Sequence, residues 1–476
     1  MKTSNGKLDR RSILALLTAG TAGELFVGSS TSARAVTLDR PREIIVVGGG
    51  MAGTSAAKYL KLWGASAVSP LNVTLIISDP KYTSNIMSNK VLTGQKTLAE
   101  LEYGYDGLVA LGVNVVIGQV GSVDTAGKKV TLSSGTFGTS AEKAYDRLIL
   151  APGVDFVYKS FAASTNEDIQ FANMTADQAP DLLPHAWKAG PSTENLRNQL
   201  LALTNGNNVI ITIPKAPYRC PPGPYERVCV VAEWLRKNKP ASRLIVLDEN
   251  PKVIVEPLSF GNAFSKTYAS NVSYFPSASL ASVTYNTAKE KSVTLRNPVQ
   301  LSNALTHTKG GAAISQFSAV VIPLVPQQQA GKIVIDTLQG KLDASGRWAP
   351  VDELSYEVKG LAAVHVIGDA ISSAQPKAGH IGNQEAKICA DAILRMEFTL
   401  VGAPYAKPVT NSACYTPISE TTATWLTAVF AYDTSLQKMV LVDPPGVVEP
   451  SGGIPTTTAY SQMNKWFAFM IEVAFG

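Results

Sequence analysis

The stretch Glu43-Ile-Ile-Val-Val-Gly-Gly-Gly-Met-Ala-Gly-Thr-Ser-Ala-Ala-Lys-Tyr-Leu60 decides the fold of this chain. An apolar run precedes consecutive glycines and a helical pattern follows them, so the stretch predicts a strand, a tight turn and a helix. A second apolar run, Val73-Thr-Leu-Ile-Ile77, ends at Ser78 and Asp79 and predicts the next strand. The glycines therefore form the pattern Gly-x-Gly-x-x-Gly in the structural context that dinucleotide binding requires.

Each glycine of this pattern has its own task. Gly48 permits the tight turn, Gly50 lets the backbone approach a pyrophosphate, and Gly53 allows close packing of helix on strand. The N-terminus of the helix attracts the phosphates. A chance glycine turn is the alternative, and it does not account for the flanking strands and helix.

Two later segments favour FAD over NAD as the dinucleotide. Tyr145-Asp-Arg-Leu-Ile-Leu-Ala151-Pro-Gly153 looks like the strand and turn that return the chain to the sheet in flavoproteins with two dinucleotide-binding domains. His365-Val-Ile-Gly368-Asp369-Ala370 resembles their second flavin motif, in which the aspartate binds the ribityl chain. Alone, Gly368-Asp369 is an ordinary turn, but the three motifs in order predict FAD.

A second strand–helix–strand unit is predicted between these motifs, from Asn208–Ile213, residues 225–239 and Ser242–Leu247. Its first turn reads Pro214-Lys-Ala-Pro-Tyr-Arg-Cys220-Pro-Pro-Gly-Pro224. Prolines replace the glycines that would cradle a second pyrophosphate. We therefore expect no electrons from NAD(P)H, and we expect Cys220 on the side from which a nicotinamide would approach the flavin.

The predicted fold class is α/β, with two Rossmann-like dinucleotide-binding domains of the glutathione-reductase type and a C-terminal α+β domain. The sequence divides into an export signal, the FAD domain in two parts, a second NAD-like domain that carries Cys220, and a C-terminal interface domain that carries Cys414. The signal is expected at 1–35, and the two parts of the FAD domain at 42–162 and 333–402. The second domain is expected at 163–332 and the C-terminal domain at 403–476.

The N-terminus predicts export. Basic residues that include Arg10-Arg11 precede the apolar run Ile13–Leu17, and Ala33-Arg34-Ala35 offers a small-x-small cleavage site. The arginine pair resembles the twin-arginine motif, with general secretion as the alternative. The expected location is the periplasm. Without residues 1–35 the chain keeps 37 basic and 35 acidic residues, a net charge of +2, which gives no electrostatic case for nucleic acid.

The remaining pattern limits other cofactors and sites. The cysteines are Cys220, Cys229, Cys389 and Cys414, and their spacing alone does not choose a pairing. No Cys-x-x-Cys-His is present for covalent haem, no cysteine–histidine cluster has zinc-site spacing, and no segment after the signal reaches transmembrane length. Cys389, in an apolar helical pattern, is predicted to be a buried structural thiol.

At this point the mature chain resembles the flavoprotein subunit of flavocytochrome c sulfide dehydrogenase over nearly its whole length. The stretches that carry the resemblance are Tyr105-Asp-Gly-Leu108, Leu183-Pro-His-Ala-Trp-Lys-Ala-Gly190, Arg219-Cys-Pro-Pro-Gly-Pro-Tyr-Glu-Arg227, Gln329-Ala-Gly-Lys-Ile333, Gly368-Asp369 with Pro376-Lys377-x-Gly379, and Ala474-Phe-Gly476.

The resemblance implies the catalytic residues. The family's redox-active disulfide maps to Cys220 and, within Asn411-Ser-Ala-Cys-Tyr415, to Cys414. Glu226 matches the candidate proton-transfer residue, and Trp466 matches an aromatic residue close to the flavin. For the cysteine pair the alternative is a purely structural disulfide. For Glu226 it is a solvated helix residue, and for Trp466 it is ordinary core packing.

FAD attachment departs from the family pattern. Well-known members bind FAD through a cysteine thioether, but the corresponding stretch, Lys81-Tyr-Thr-Ser84-Asn-Ile-Met-Ser-Asn89, has a serine. We therefore expect noncovalent FAD. The residues expected to line its site are Gly48, Gly50, Ala52, Gly53, Ser78, Asp79, Ser84, Val120, Ala151, Gly153, Gly368, Asp369, Lys377, Gly379, Asn383 and Trp466.

The resemblance also implies the activity, in which hydrosulfide is oxidised to sulfur or polysulfide through the disulfide and FAD. Electrons then pass to a c-type cytochrome subunit in a heterodimer, with haem c only on the partner. A sulfide:quinone oxidoreductase is one alternative, which would need a lipid-facing C-terminal surface. A non-catalytic exported electron-transfer flavoprotein is another.

Overall fold

The structure, a computed structural model, describes residues 40–65, 71–135, 141–158, 169–175, 177–287, 290–300, 313–398 and 402–476. The predicted export signal lies outside these residues. The strands are β1 Arg42–Val47, β2 Leu71–Ile77, β3 Tyr82–Thr83, β4 Glu102–Tyr103, β5 Asn114–Asp124, β6 Lys129–Gly135, β7 Glu142–Ala144, β8 Arg147–Leu150, β9 Val154–Val157, β10 Gln170–Ala172, β11 Val209–Ile213, β12 Leu244–Asp248, β13 Val272–Phe275, β14 Leu280–Thr287, β15 Glu290–Val299, β16 Ile314–Ala319, β17 Gln327–Ala330, β18 Val364–Val366, β19 Val409–Pro417, β20 Ala423–Asp433 and β21 Lys438–Leu441.

The helices of the described residues connect these strands. They are α1 Met51–Gly64, α2 Asn89–Leu92, α3 Asp106–Ala110, α4 Ala179–Leu182, α5 Pro191–Leu201, α6 Gly223–Asn238, α7 Pro257–Asn262, α8 Lys332–Thr337, α9 Gly379–Phe398 and α10 Thr457–Phe475. Short 3-10 turns occur at Ala99–Leu101, Gly368–Ala370 and Ser451–Gly453, and a π turn at Ala263–Thr267.

A seven-stranded sheet in the order β18-β8-β1-β2-β5-β6-β7 forms the first unit. Strands β18, β8, β1, β2 and β5 run parallel, with Val47 beside Ile76 and Leu150. Their apolar runs are buried because helices cover the sheet, as is usual for parallel sheets. Helices α1 and α9 pack on each other at this sheet, and both contribute side chains to its core.

The second unit contains the parallel sheet β11-β12-β13 with α6 between its first two strands. A four-stranded sheet, β10-β14-β15-β16, packs beside it through Ile210, Leu247 and Phe275. The expected α/β class with two dinucleotide-type units is confirmed.

The C-terminal segment forms an antiparallel sheet, β19-β20-β21, followed by α10. This helix contacts α1, and its buried side chains Met463, Phe467 and Met470 belong to the same core as the first sheet. The segment therefore shares a core with the first unit. None of the helices in the described ranges is long and apolar enough to cross a membrane.

Candidate functional site

The parallel strands of the first sheet end at one edge, and the predicted flavin residues follow them there. Gly48 follows β1, Ser78 follows β2, Ala151 follows β8, and Gly368 begins shortly after β18. In α/β sheets, ligands bind at the carboxyl edge of the strands. The edge thus brings together residues that are up to 320 positions apart in the chain.

The glycine turn after β1 has the geometry of a phosphate cradle. A Cβ on Gly53 would lie 1.9 Å from the carbonyl oxygen of Gly48, and a Cβ on Gly48 would lie 2.3 Å from that of Ala151. Gly48 also has φ +115°, which favours glycine. By contrast, a Cβ on Gly50 would meet no atom of the described residues within 4 Å. The space before the α1 N-terminus is open, and a pyrophosphate fits it.

The second flavin motif lies directly against this turn. A Cβ on Gly368 would lie 3.0 Å from Cβ of Ala52, which brings the two motifs into contact. The Gly368 amide donates a hydrogen bond of 2.7 Å to Oε2 of Glu385. Burial raises the pKa of Asp369, while the positive charges of Arg219 and Lys377 oppose that rise. The aspartate is mostly buried, as a residue that binds a ribityl hydroxyl would be.

Lys377 is held rigidly beside Asp369. Its ammonium donates to the carbonyl oxygens of Asp369 and Ile371 at 3.0 and 2.6 Å. It also lies 3.7 Å from the centroid of the Trp348 ring, a cation–π contact. Burial lowers the pKa of Lys377 to about 8. Its charge therefore helps to balance Asp369 at this edge.

Helix α9 presents its N-terminus to the same space. A Cβ on Gly379 would lie 3.2 Å from Cγ of Met51, so the first turns of α9 and α1 are in contact. Asn383, which is 2% exposed, donates to Oγ of Ser55 at 2.6 Å and locks the two helices together. Two positive helix ends thus converge where a flavin and its pyrophosphate would carry negative charge.

The remaining predicted flavin residues have diverse positions. Ser78 and Asp79 are exposed at the edge, where Ser78 donates to the Asp79 carboxylate at 2.8 Å. Val120 is 9% exposed on β5, three residues beyond the Ile117 that pairs with the end of β2, so it lies toward the same edge. Gly153, with φ +73°, accepts a hydrogen bond from the Gly331 amide at 3.0 Å.

Ser84 is fully buried in the segment between β3 and α2. Its amide donates to Leu101 at 2.8 Å, and its hydroxyl donates to the carbonyl oxygen of Ile86 at 3.2 Å. Burial raises the pKa of the neighbouring Tyr82, and the charges of Arg219 and Asp369 also act on it, the first lowering and the second raising its pKa. Ser84 therefore lies in a segment that adjoins the flavin edge.

The proline-rich loop after β11 fixes Cys220 against the second flavin motif. The Cys220 amide donates to the carbonyl oxygen of Lys377 at 2.7 Å, and the Arg219 amide donates to Oε1 of Gln328 at 2.9 Å. The Trp187 indole donates to the Arg219 carbonyl at 2.9 Å. Cys220 has φ +58°, a strained value for a residue other than glycine that often marks functional sites.

Cys414 lies in the middle of β19, which packs against both α6 and α9. Burial raises the pKa of the Cys414 thiol well above its usual value, and the charge of Cys220 adds to the rise. Burial also raises the pKa of Cys220 to about 12. All four cysteines are free thiols in the structure, so the pairing of Cys220 with Cys414 stays a prediction.

Glu226 lies in the first turn of α6, mostly buried. Asn89 donates to its Oε1 at 2.9 Å. Burial raises the pKa of Glu226 to about 7, although Asn89, Lys90 and Arg227 all favour its ionised form. The carboxyl is therefore close to half-protonated at neutral pH, which suits a proton-transfer residue.

Sequence reasoning missed the two partners of Glu226 on α2. Lys90 is 3% exposed, and burial lowers its pKa to about 8. It donates to the hydroxyl of Tyr460 on α10 at 2.8 Å. The signal that was available was the polar pair Asn89-Lys90 at the end of the Ser84 segment, directly before Val91 and Leu92.

Trp466 on α10 lies near the end of α9 that begins at Gly379. Its ring makes an edge contact with His380 at 6.4 Å and a tilted contact with Tyr415 at 6.0 Å between ring centroids. The indole nitrogen is buried and has no hydrogen-bond partner among the described residues. Tyr415 adjoins Cys414, so Trp466 lies between the cysteine strand and the flavin edge.

The other cysteines lie away from this edge. Cys229 and Cys389 are both fully buried, within the cores of the second and first units, respectively. Burial raises the pKa of each thiol. The prediction that Cys389 is a buried thiol is confirmed. Within the described ranges, no group of three or more histidine, cysteine or acidic residues could hold a metal ion.

Glu226 gives a test of stability against pH. Its folded-state pKa of about 7 lies above the ordinary value of 4.5, so its stabilising contribution is full below 4.5 and is lost as the pH rises through 7. We expect Glu226→Gln to flatten this loss by on the order of 1–2 kcal/mol in the free energy of unfolding. Denaturant unfolding between about pH 4.5 and about pH 8 measures it. Glu194→Gln, on an exposed turn of α5, serves as the control, and parallel curves for both variants would refute the assignment.

Family models match two parts of the chain. Residues 193–305 match the central segment of the sulfide dehydrogenase [flavocytochrome c] flavoprotein chain, and residues 42–182 match the pyridine nucleotide-disulphide oxidoreductases. A curated relative, oxidoreductase ptaL of Pestalotiopsis fici, is 30% identical over 118 residues. That match covers 24% of this chain and 31% of the relative, so the chain spans about a third of that protein.

Solved structures of similar fold include the sulfide:quinone oxidoreductase of Aquifex aeolicus, with 15% identity, 91% coverage of each chain and a TM-score of 0.61. NDH2 of Plasmodium falciparum in complex with NADH has 11% identity, 92% and 95% coverage and a TM-score of 0.59. The water-forming NADH oxidase of Lactobacillus brevis bound to NADH has 13% identity, 89% coverage of each chain and a TM-score of 0.54. At these identities the likeness concerns the fold alone.

The cradle at Gly50, the helix ends of α1 and α9, and Asp369 fit FAD as the bound dinucleotide. The family models agree with that fit, since both describe redox proteins of this fold. The chain therefore has the fold of the flavoprotein oxidoreductases, and its residues 193–305 match the central segment of the flavocytochrome c sulfide dehydrogenase flavoprotein chain.

Proposed function

We propose that this protein oxidises hydrosulfide to sulfur or polysulfide through a Cys220–Cys414 disulfide and noncovalent FAD, and that it passes the electrons to a c-type cytochrome subunit. The observation that carries the proposal is the hydrogen bond from the Cys220 amide to the Lys377 carbonyl, 2.7 Å long. It holds the cysteine loop against the second flavin motif. A sulfur there is well positioned to exchange electrons with a flavin.

The cysteine pair supplies the covalent chemistry. Hydrosulfide attacks one sulfur of the disulfide, which gives a persulfide on that cysteine and a thiolate on the other. Burial and the Glu226 charge raise the pKa of the Cys220 thiol, and the Arg219 charge opposes that rise. Glu226, whose pKa is about 7, accepts or donates a proton as the sulfur charge changes.

FAD, when bound, accepts electrons in pairs and releases them singly, which suits a haem acceptor. The backbone at Gly48–Gly53, the Asp369 carboxylate and the N-terminus of α9 would hold it. A Lys90–Tyr460 hydrogen bond and Trp466 tie α10 to the same region.

The proline-rich turn supports an electron source other than NAD(P)H. In the described residues the turn after β11 leads into α6 through Pro222 and Pro224, and Tyr218 is 3% exposed within it. Prolines lack the amide hydrogens that bind a pyrophosphate. The signal-like N-terminus supports export to the periplasm.

Ser84 gives a test of FAD attachment. A serine hydroxyl forms no thioether, so we expect FAD to dissociate completely on acid precipitation. The absorbance of supernatant and pellet measures it. Ser84→Cys is the matched variant, because it restores the sulfur at the same buried position. Flavin that stays with the wild-type pellet would contradict noncovalent binding.

Anaerobic mixing of the FAD-loaded protein with sulfide tests the proposed function. We expect stoichiometric sulfide to bleach the flavin absorbance, and excess NADH or NADPH to leave it unchanged. Subsequent addition of a c-type cytochrome should restore the flavin spectrum and reduce the haem. If sulfide leaves the flavin oxidised, the protein is an electron carrier without this activity.

A quinone acceptor is the second candidate, favoured by one surface feature. Phe469 on the last helix is 50% exposed, and Ile454 just before the helix is 64% exposed, as an apolar contact with lipid would require. The same experiment separates the two acceptors. Faster reoxidation by a short-chain ubiquinone than by the cytochrome would favour the quinone.

A further inference from the structure

One face of strand β19 carries a row of buried polar side chains around Cys414. Side chains two residues apart in a strand point to the same face. Ser412 is 1% exposed and Thr416 is fully buried, and Cys414 lies between them. The Ser412 hydroxyl has no hydrogen-bond partner within the described part of the chain, yet it lies close enough to Cys414 to lower the pKa of that thiol. The thiol thus lies in a polar row inside the protein.

A buried carboxyl lies at one end of this row, and the proposed mechanism does not use it. The Thr416 hydroxyl donates to Oε1 of Glu256 at 2.8 Å, and Glu256 is 1% exposed. Its other oxygen, Oε2, is buried without a partner among the residues that the structure describes. Glu256 also has φ +46°, a strained conformation for a residue other than glycine. Such a carboxyl is stable inside a protein when it holds a proton.

Hydroxyl groups connect Glu256 to the surface. Thr424 lies beside the Glu256 carboxyl. The hydroxyls of Thr424 and Ser259 are hydrogen-bonded at 2.9 Å, and Ser259 donates to Oε2 of Glu449 at 2.8 Å. Glu449 is partly exposed. Because Ser259 donates to Glu449, it accepts from Thr424, and a protonated Oε2 of Glu256 is then free to donate to Thr424, so the row can conduct protons.

We propose that Glu256 is the proton donor to the sulfur of Cys414, and that Thr424, Ser259 and Glu449 conduct protons between Glu256 and the solvent. This inference rests on the proposed function, because it concerns the sulfur that is released when the disulfide opens. It adds a second proton-transfer residue and a route for its reprotonation.

The proton balance is simple. When HS⁻ attacks the sulfur of Cys220, a new S–S bond forms to the substrate sulfur and the Cys220–Cys414 bond breaks. The electron pair of the broken bond stays on Cys414 as a thiolate. Glu256 donates its proton to that thiolate, and one proton from solvent then reaches Glu256 through Glu449, Ser259 and Thr424. One HS⁻ and one proton are consumed, and a Cys220 persulfide and a Cys414 thiol are formed.

The two carboxyls overlap at Cys414 and differ at Cys220. Burial raises the pKa of both thiols, and the Glu226 charge adds to the rise for both, whereas the Glu256 charge adds to it for Cys414. Both charges also add to the raised pKa of the buried Cys229. The charged or titratable groups that face Glu256 are Glu226, Glu449, Cys229 and Cys414. Burial raises the pKa of Glu256 to about 8, so it holds its proton at neutral pH.

Reduction of the disulfide by dithiothreitol tests this inference without sulfide. At a fixed concentration of the dithiothreitol thiolate, we expect Glu256→Gln to slow the first reduction about 100-fold below pH ~8 and to remove the fall in rate above that pH. Glu353→Gln is the matched control. Glu353 is also a buried carboxyl, but it accepts a hydrogen bond from the Met439 amide, so this variant should behave like the wild type. FAD content and melting temperature of each variant report whether it folds. A Glu256→Gln rate equal to that of the wild type at every pH would overturn the assignment.

The proton path from Glu449 through Ser259 and Thr424 to Glu256 can be tested separately. Ser259→Ala and Glu449→Gln leave the proton on Glu256 in place, so the first reduction should proceed at the wild-type rate. Repeated turnover with sulfide and a c-type cytochrome as the electron acceptor should slow several-fold, because reprotonation of Glu256 is impaired. Turnover at the wild-type rate in both variants would overturn the proposed proton path. If dithiothreitol gives the expected pattern while sulfide fails to bleach the flavin, the proton path stands and the proposed substrate is wrong.

Discussion

Replacing Cys220 with serine will abolish the reduction of bound flavin by sulfide. A serine oxygen forms no bond that hydrosulfide can open, so the persulfide and the released thiolate are both lost. We expect a rate at least ~10³-fold below that of the wild type, since removal of a covalent nucleophile has effects of this order. Stopped-flow absorbance after anaerobic mixing measures it. Dithionite should still reduce the flavin, because the FAD site is intact.

The two cysteines are expected to act as a unit. Cys414→Ser alone should match Cys220→Ser, and the double variant should be no slower than either, because residues of one reaction step are not additive. Cys389→Ala is the matched control, since it changes a fully buried thiol in the core of the first unit. Residual bleaching at more than a tenth of the wild-type rate in either serine variant would contradict the disulfide mechanism.

Replacing Gly50 with valine will remove FAD binding from a folded protein. The added side chain points into open space, with φ of −85° at Gly50, so the backbone tolerates it. That space is where the pyrophosphate must approach the α1 N-terminus. We expect the affinity for FAD to fall ~100-fold or more, which is about 3 kcal/mol. Fluorescence titration of the apoprotein with FAD measures the affinity.

Two further glycine variants make the Gly50 result specific. Gly261→Val adds a side chain that likewise meets no described atom within 4 Å, but on α7 and away from the sheet edge, so FAD should bind normally. Gly53→Val should instead unfold the first unit, because its Cβ would lie 1.9 Å from the Gly48 carbonyl oxygen. Tight FAD binding by Gly50→Val would mean that the dinucleotide lies elsewhere.

Local sequence signals predicted most of the flavin edge. The glycine turn, the strand before it and the strand that ends at Ile77 all occur where periodicity and turn chemistry place them. The α6 helix begins at Gly223 rather than at Tyr225, because Pro224 is tolerated in the first turn of a helix. These features depend on residues close in the chain, so the sequence alone defines them.

Long-range contacts could not be read in this way. Glu256 meets Thr416 across 160 positions, and Lys90 meets Tyr460 across 370. Neither Glu256 nor Lys90 belongs to a recognisable motif, and the sequence does not distinguish a buried charged residue from an exposed one. Likewise, the apolar positions of α10 predict a helix but not its partner, so its packing in the first core was not foreseen. Tertiary packing decides these contacts.

The most direct test of the central claim is peptide mapping of the cysteines before and after one equivalent of sulfide. The protein is quenched anaerobically with an alkylating agent and digested, and the peptides with Cys220 and Cys414 are identified by mass spectrometry. Our account predicts a Cys220–Cys414 disulfide in the oxidised protein, which sulfide converts to a persulfide on one cysteine and an alkylated thiol on the other as the flavin bleaches. Flavin bleaching while both cysteines remain plain, alkylated thiols before and after sulfide would contradict it.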